Sequence, residues 1–187
     1  MSFFESIETD RLTIRVLESK DKESFFAYRR LPEVCLYQFW KPLSINEVEN
    51  FIKKNSTTIP NTKNTWLQLA ICLRNDKLIG DMGIHFLEDD AQVEIGYTLS
   101  PGYQGKGYAL EAAKAVVDYL FVTLKKHRIS ASVDPENLKS INLLKKLGFR
   151  QEGYFKKSLL IHGEWCDDLI FALLEGEWAN KNYSVQR

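Results

Sequence analysis

The chain has 187 residues, with 25 Lys plus Arg balanced by 25 Asp plus Glu, so its formal net charge is zero. That length suits a single domain over residues 1–187, one that buries roughly 70% of its unfolded surface without help from disulfides or metal. The even charge excludes a protein that relies on a wholly basic surface for nucleic acid, and three scattered cysteines, Cys35, Cys72 and Cys166, exclude a disulfide framework.

Charge is uneven along the chain. Tyr103 to Arg150 holds nine Lys/Arg against four Asp/Glu. Such a segment either holds a small polyanion or forms solvated helix faces. His85, His127 and His162 are also scattered, and His162 with Cys166 falls short of the ligand set a zinc site needs, so no metal is expected. The opening MSFFESIETDR is acidic where a signal peptide is basic, and no apolar run approaches the ~20 residues of a membrane span. The expectation is a cytoplasmic protein with no membrane or nucleic-acid partner.

Leu12, Ile14 and Val16 alternate with polar residues and predict a first strand. Ser19 to Arg30 predicts a helix stopped before Pro32. Ser44-Ile-Asn-Glu47 has capping-box spacing and predicts a second helix to about Asn55. Ser56 to Thr65 is a polar loop. Trp66–Leu73 and Leu78–Phe86 predict a hairpin around Asn75-Asp76, and Gln92–Leu99 a third strand of this meander. Ser100 to Tyr108 is turn-rich, with Gly102, Gly105 and Gly107. It runs into a helix whose face from Ala109 to Leu124 is apolar over four turns. Ile129 to Val133 predicts a strand. Asp134-Pro-Glu-Asn137 caps a helix ended by Gly148, and two closing strands, Tyr154–Ile161 and Leu169–Leu174, turn at Gly163. The fold class is therefore mixed α/β with seven strands.

The chemistry lies in strand, glycine loop and helix from Val93 to Leu124. Glycines let backbone approach a ligand, and the helix behind them aims free N–H groups and a positive dipole end at it, which suits a pyrophosphate. A Walker loop needs Gly-Lys-Ser/Thr, but here Gly105-Lys106-Gly107 lacks the hydroxyl. The dinucleotide fingerprint needs GxGxxG after a parallel strand, but here the spacing is GxxGxG after a meander. An oxidoreductase that binds a dinucleotide is accordingly a remote alternative.

Gln104-Gly105-Lys106-Gly107-Tyr108-Ala109 fits the pattern Gln/Arg-x-x-Gly-x-Gly/Ala, and here the sequence resembles the GCN5-related N-acetyltransferase (GNAT) superfamily. Val93–Leu99 resembles that family's fourth strand, and Asn137-Leu-Lys-Ser140 with Lys146-Leu-Gly-Phe149 its next block. Gly163–Asp168, Glu177-Trp178 and the opening Glu8-Thr-Asp-Arg-Leu12 with Arg15 resemble its RimJ/RimL-type branch, over residues 8 to 178. The resemblance implies a largely antiparallel seven-stranded sheet splayed between its fourth and fifth strands. It implies acetyl-CoA as co-substrate, with its pyrophosphate on Gln104, Gly105, Lys106, Gly107, Tyr108 and Ala109. The pantetheine arm would lie near Thr98, Leu99 and Asn137. Asn137 is equally well read as a helix N-cap.

The implied reaction is attack of a neutral amine on the thioester, in a complex holding both substrates. Glu94, on the opposite strand face from Val93, Ile95 and Tyr97, is the expected base, with Asp168 as runner-up. Many family members carry a tyrosine proton donor where this chain has Leu144; the resemblance to the ribosomal branch implies Ser140, which matches a serine there, as the relay to the departing thiolate, and Ser140 is equally well read as a solvated helix serine. A sensor that binds acyl-CoA without turnover is the alternative that Leu144 keeps open. Trp40, Trp66 and Asp168 are candidates for the acceptor pocket, the aromatics by cation–π contact with an amine or as plain packing. The partners expected are acetyl-CoA and an amine, on a protein N-terminus or a small molecule, with the chain a monomer or homodimer.

Overall fold

The computed structural model describes residues 3–185, with side chains described to Asn180. Residues 1, 2, 186 and 187, the ends of the expected domain, lie outside the described residues. Strands are β1 (Ile7–Glu8), β2 (Leu12–Val16), β3 (Thr65–Leu73), β4 (Leu78–Phe86), β5 (Gln92–Leu99), β6 (Arg128–Val133), β7 (Arg150–Ile161) and β8 (Glu164–Leu174). Helices are α1 (Lys22–Arg29), α2 (Pro32–Cys35), α3 (Ile45–Asn55), α4 (Tyr108–Asp118), α5 (Leu138–Leu147) and α6 (Glu175–Val185).

The eight strands form one sheet in the order β1-β2-β3-β4-β5-β6-β8-β7. Every pairing is antiparallel except β5 with β6. The seven expected strands are present, and the eighth is the two-residue β1, too short to leave a periodic signature. The strands expected as fourth and fifth are thus β5 and β6.

Period-2 alternation gives the sheet two unlike faces. Leu12, Ile14, Leu67, Leu69, Ile71, Met82, Ile84, Val93, Ile95, Ile129 and Phe171 share one face, and α4 and α5 cover it with Ala112, Val116, Leu120, Ile141 and Leu144 in the main core. Each such aliphatic side chain taken from water contributes about 1.5–3 kcal/mol. On the other face Ala70 and Cys72 pack under α1 and α3 with Leu17, Phe25, Val48 and Ile52. The rest of that second face is polar, and the site is built there and along the gap beside it.

Helix ends follow local chemistry. Ser44 caps α3 by accepting from the Glu47 N–H at 3.2 Å. The Asn137 side chain accepts from the Ser140 N–H at 3.1 Å and starts α5. Gly148, at φ 98°, ends α5 in the left-handed conformation that glycine adopts most readily. Pro32 was expected only to stop a helix, yet it opens α2, where a missing N–H costs nothing. The apolar face of α4 continues to Thr123 through a wider π turn, with the Leu124 N–H bonded to the Tyr119 carbonyl at 3.0 Å. Among the described residues no helix is long and apolar enough to cross a membrane, and no group of three His, Cys, Asp or Glu could hold a metal.

Candidate active site

β5 and β6 pair at Gln92–Arg128, Val93–Ile129 and Glu94–Ser130, and then part. Beyond Glu94, β5 stays paired with β4 through Leu99, while β6 stays paired with β8 through Val133. This is the splay the sequence led us to expect. Its edge has a defined chemistry. Leu87 N–H bonds the Gln92 carbonyl and Ser100 N–H bonds the Ile79 carbonyl, so even-numbered β5 residues bond β4. By alternation odd-numbered β5 residues face β6; the Glu94–Ser130 pair uses the Ile95 N–H, and beyond it the backbone groups of Tyr97 and the Leu99 N–H face the gap.

The glycine loop lies at the end of β5. Gly105 and Gly107 have φ of 75° and 83°, a conformation open to glycine at little cost. Gly107 is the N-cap of α4, and the first helical bond runs from Glu111 N–H to the Gly107 carbonyl at 3.0 Å. The N–H groups of Tyr108, Ala109 and Leu110 therefore have no acceptor within the helix and face outward at its positive end. Gln104 ties the loop across the gap. Its Nε2 donates to the Leu99 carbonyl at 3.0 Å, and its Oε1 accepts from Lys139 Nζ of α5 at 3.0 Å. Lys106 Nζ folds back onto the Gly102 carbonyl at 2.8 Å.

Thr98 and Leu99 end β5, and both are buried. The Thr98 hydroxyl is buried with no hydrogen-bond partner in the protein. A buried orphan hydroxyl costs about 1–3 kcal/mol and suits a site that meets a ligand. The open gap, the outward N–H groups and this hydroxyl fit an extended molecule with an anionic end, as an acyl-CoA is.

The polar sheet face flanks the gap. Register places Trp66, His85, Glu94 and Ser130 side by side across four strands. The Trp66 and His85 rings stack with centroids 4.7 Å apart and planes 5° from parallel. Gly83 and Gly96 pair in the next row; a Cβ on Gly96 would meet nothing, while one on Gly83 would meet the Trp66 ring at 3.1 Å, so the floor is open over β5 and covered by Trp66 over β4. Half-buried Glu94 has its pKa raised by burial, which His85 opposes and Asp168 reinforces. Asp168 is buried and accepts from Ser132 Oγ at 2.7 Å.

Ser140 and Leu144 lie on α5 and behave differently. Leu144 is fully buried in the main core. Ser140 Oγ lies 2.8 Å from the Tyr97 hydroxyl, which reaches from β5 to α5. Burial pushes the Tyr97 phenol up to about 12, against the pull of the Ser140 bond. Sequence reasoning treated Tyr97 only as a face marker, and no local spacing signals a contact 43 residues away in sequence. Trp40 lies in the second cluster, stacked on Phe51 at 4.7 Å. Trp66, in contrast, is 41% exposed on the open face. The structure thus brings Glu94, Trp66 and Asp168 onto one face, and Ser140 with Asn137 onto the far side of the gap.

One contributor to the loop comes from the opposite end of the chain. Arg11 Nε bonds Glu111 Oε2 at 2.6 Å, and its Nη1 donates to the Lys106 carbonyl at 3.0 Å. The sequence offered Arg11 only as part of an opening motif.

Comparison with known proteins agrees with this geometry. The acetyltransferase (GNAT) domain family matches residues 11–150, well over half of the chain. The uncharacterised N-acetyltransferase YnaD of Bacillus subtilis is 36% identical over 173 residues, covering 92% of this chain and 98% of that protein. The ribosomal protein uS5-alanine N-acetyltransferase of Escherichia coli is 43% identical over 84 residues, covering 45% of this chain and 43% of that protein. A GNAT-family acetyltransferase from Bacillus anthracis superposes with a TM-score of 0.83 at 35% identity, covering 92% of this chain and all of that one. The spermidine N-acetyltransferase of Vibrio cholerae, solved with CoA and spermine, superposes with a TM-score of 0.80 at 25% identity, covering 92% of this chain and 100% of that one. With its splayed strands, its glycine loop and these relatives, the chain belongs to the GNAT family of N-acetyltransferases.

Proposed function

We propose that this chain transfers the acetyl group of acetyl-CoA to a primary amine by direct attack, with both substrates bound together. The observation that carries the reading is the parting of β5 from β6 after Glu94, with the glycine loop at its far end. Acetyl-CoA supplies the activated acetyl thioester. N–H groups from Gly105 to Ala109 hold its diphosphate, and those of Tyr97 and Leu99 are the donors available to its thioester carbonyl. Thr98 Oγ1 offers a further polar contact. Asn137 spends its carbonyl oxygen on the α5 cap, which leaves its amide N–H₂ for the pantetheine arm.

Glu94 takes the proton of the incoming ammonium, directly or through water, since only the free amine attacks. Its raised pKa makes it a stronger base than an exposed carboxylate. Tyr97 and Ser140 form the proton source for the thiolate. Tyr97 stays protonated through the neutral range, and Ser140 relays.

The acceptor is a protein N-terminus or a small amine. Trp66 is an exposed apolar side chain on the open face, with Glu94 and Asp168 as its acids. Release of CoA thiol from acetyl-CoA, measured against two acceptor panels, tests this. One panel holds peptides beginning with Ser, Ala or Thr, and the other holds polyamines, aminoglycosides and amino acids. Turnover confined to peptides makes the acceptor a protein N-terminus, and turnover confined to the second panel makes it a small molecule. Tight acetyl-CoA binding with no turnover in either panel replaces this reading with the sensor.

A further inference from the structure

The glycine loop is anchored at Lys106 by a side chain from the opposite end of the chain. The Arg11 guanidinium donates from Nη1 to the Lys106 carbonyl at 3.0 Å and from Nε to Glu111 Oε2 at 2.6 Å. It also lies 4.5 Å above the Tyr108 ring, and a Cβ on Gly107 would come within 3.2 Å of its Nη2. It thus lies against Lys106, Gly107 and Tyr108 of the loop and Glu111 in the first turn of α4. The arginine itself is held in place, because its own backbone N–H donates to Glu111 Oε1 at 2.9 Å.

Two physical consequences follow. The peptide between Lys106 and Gly107 is trans, so its N–H points opposite to its carbonyl. Holding that carbonyl toward Arg11 turns the Gly107 N–H the other way. Gly107, at φ 83° on the C-terminal side of this peptide plane, eases its rotation, and the bond to Arg11 holds it in one orientation. The second consequence is electrostatic. Glu111 stands in the first turn of α4, where a bare carboxylate would repel a diphosphate. Burial alone would favour its neutral form, but donors from Thr9 and Arg11 and the Arg11 charge hold its carboxyl below the usual range. Glu111 therefore stays ionised, and Arg11 supplies the compensating charge.

We propose that Arg11 is a positioning residue for acetyl-CoA, holding the Lys106–Gly107 peptide with its N–H turned into the diphosphate site while neutralising Glu111. The inference rests on the reading above that this loop holds the diphosphate.

The test compares CoA, by calorimetry, with S-acetylpantetheine, which lacks the diphosphate, by ligand-observed NMR, on the full chain. Wild type should bind CoA far more tightly, and equal binding would sink the site reading itself. Arg11→Ala should weaken CoA about tenfold or more, the scale of a charge-assisted bond, and leave S-acetylpantetheine within about twofold. Arg11→Lys keeps the charge without the planar fork and should recover only part of the loss. Unchanged CoA affinity in Arg11→Ala, an equal loss of both probes, or full recovery by lysine would each overturn the proposal. Should Arg11→Ala fail to fold, Arg11→Lys carries the test alone, with CoA weakened and S-acetylpantetheine unchanged.

Discussion

Glu94 is the residue on which the proposed chemistry turns. Burial favours its protonated form, reinforced by Asp168 and opposed by His85, so its folded pKa lies above that of an exposed glutamate. As a base it acts only when ionised, so kcat/KM should rise with pH through this raised pKa. Glu94→Gln should lower kcat by about 100-fold, within the usual range for a general base, and abolish that acidic limb. A retained limb would assign it to another group. Tyr97 and Ser140, with hydroxyls 2.8 Å apart, should act as a unit. Tyr97→Phe and Ser140→Ala should each lower kcat by about tenfold, and the double variant should lose little more than either. Fully additive losses would separate them. Glu94 was legible because alternation assigns its face. Tyr97 was not, because its partner lies on α5 and only the splay lets its side chain reach across.

At the scale of elements, the second face is pinned by a buried charge network. The fully buried Asp81 of β4 accepts from Tyr28 Oη at 2.5 Å, Arg29 Nε at 3.0 Å and Gln68 Nε2 at 2.6 Å. Arg29 Nη1 also donates to Gln38 Oε1 at 2.8 Å, tying the segment after α2 to the same point. Removing one partner of a buried pair leaves the other charge stranded, at a cost of about 3–5 kcal/mol. Asp81→Ala should therefore lower the thermal midpoint by on the order of 10 °C in a chain of this size. Asp81→Ala with Arg29→Met should recover part of that loss, and an unshifted midpoint in the single variant would show that the network carries little stability. The elements themselves were largely readable. The strand over Gln92–Leu99 appears with the bounds its alternation predicts. β7, in contrast, starts at Arg150 rather than Tyr154, because its first residues are polar and exposed and carry no periodic signal. The Asp81 network was invisible, because its carboxylate and its arginine lie 52 residues apart.

For the whole molecule, the topology explains why a co-substrate can lie inside a continuous sheet. One parallel pairing among antiparallel ones lets β5 and β6 diverge after three paired residues while each keeps its outer neighbour, so the sheet stays continuous beside the gap. The two faces then divide the work, with α4 and α5 closing the apolar side and the polar side left for an amine. Of the cysteines, Cys35 and Cys72 are buried, with the Cys72 thiol pushed up to about 12 by burial, and Cys166 lies on β8 two residues from Asp168, its sulfur 3.7 Å from the Glu164 carbonyl. Direct transfer between two bound substrates is the central claim, and initial rates of CoA release with acetyl-CoA and acceptor both varied test it most directly. The account predicts reciprocal plots that intersect, as a ternary complex requires. Parallel lines, with a burst of thiol release before acceptor is added, would reveal an acetylated enzyme and contradict it.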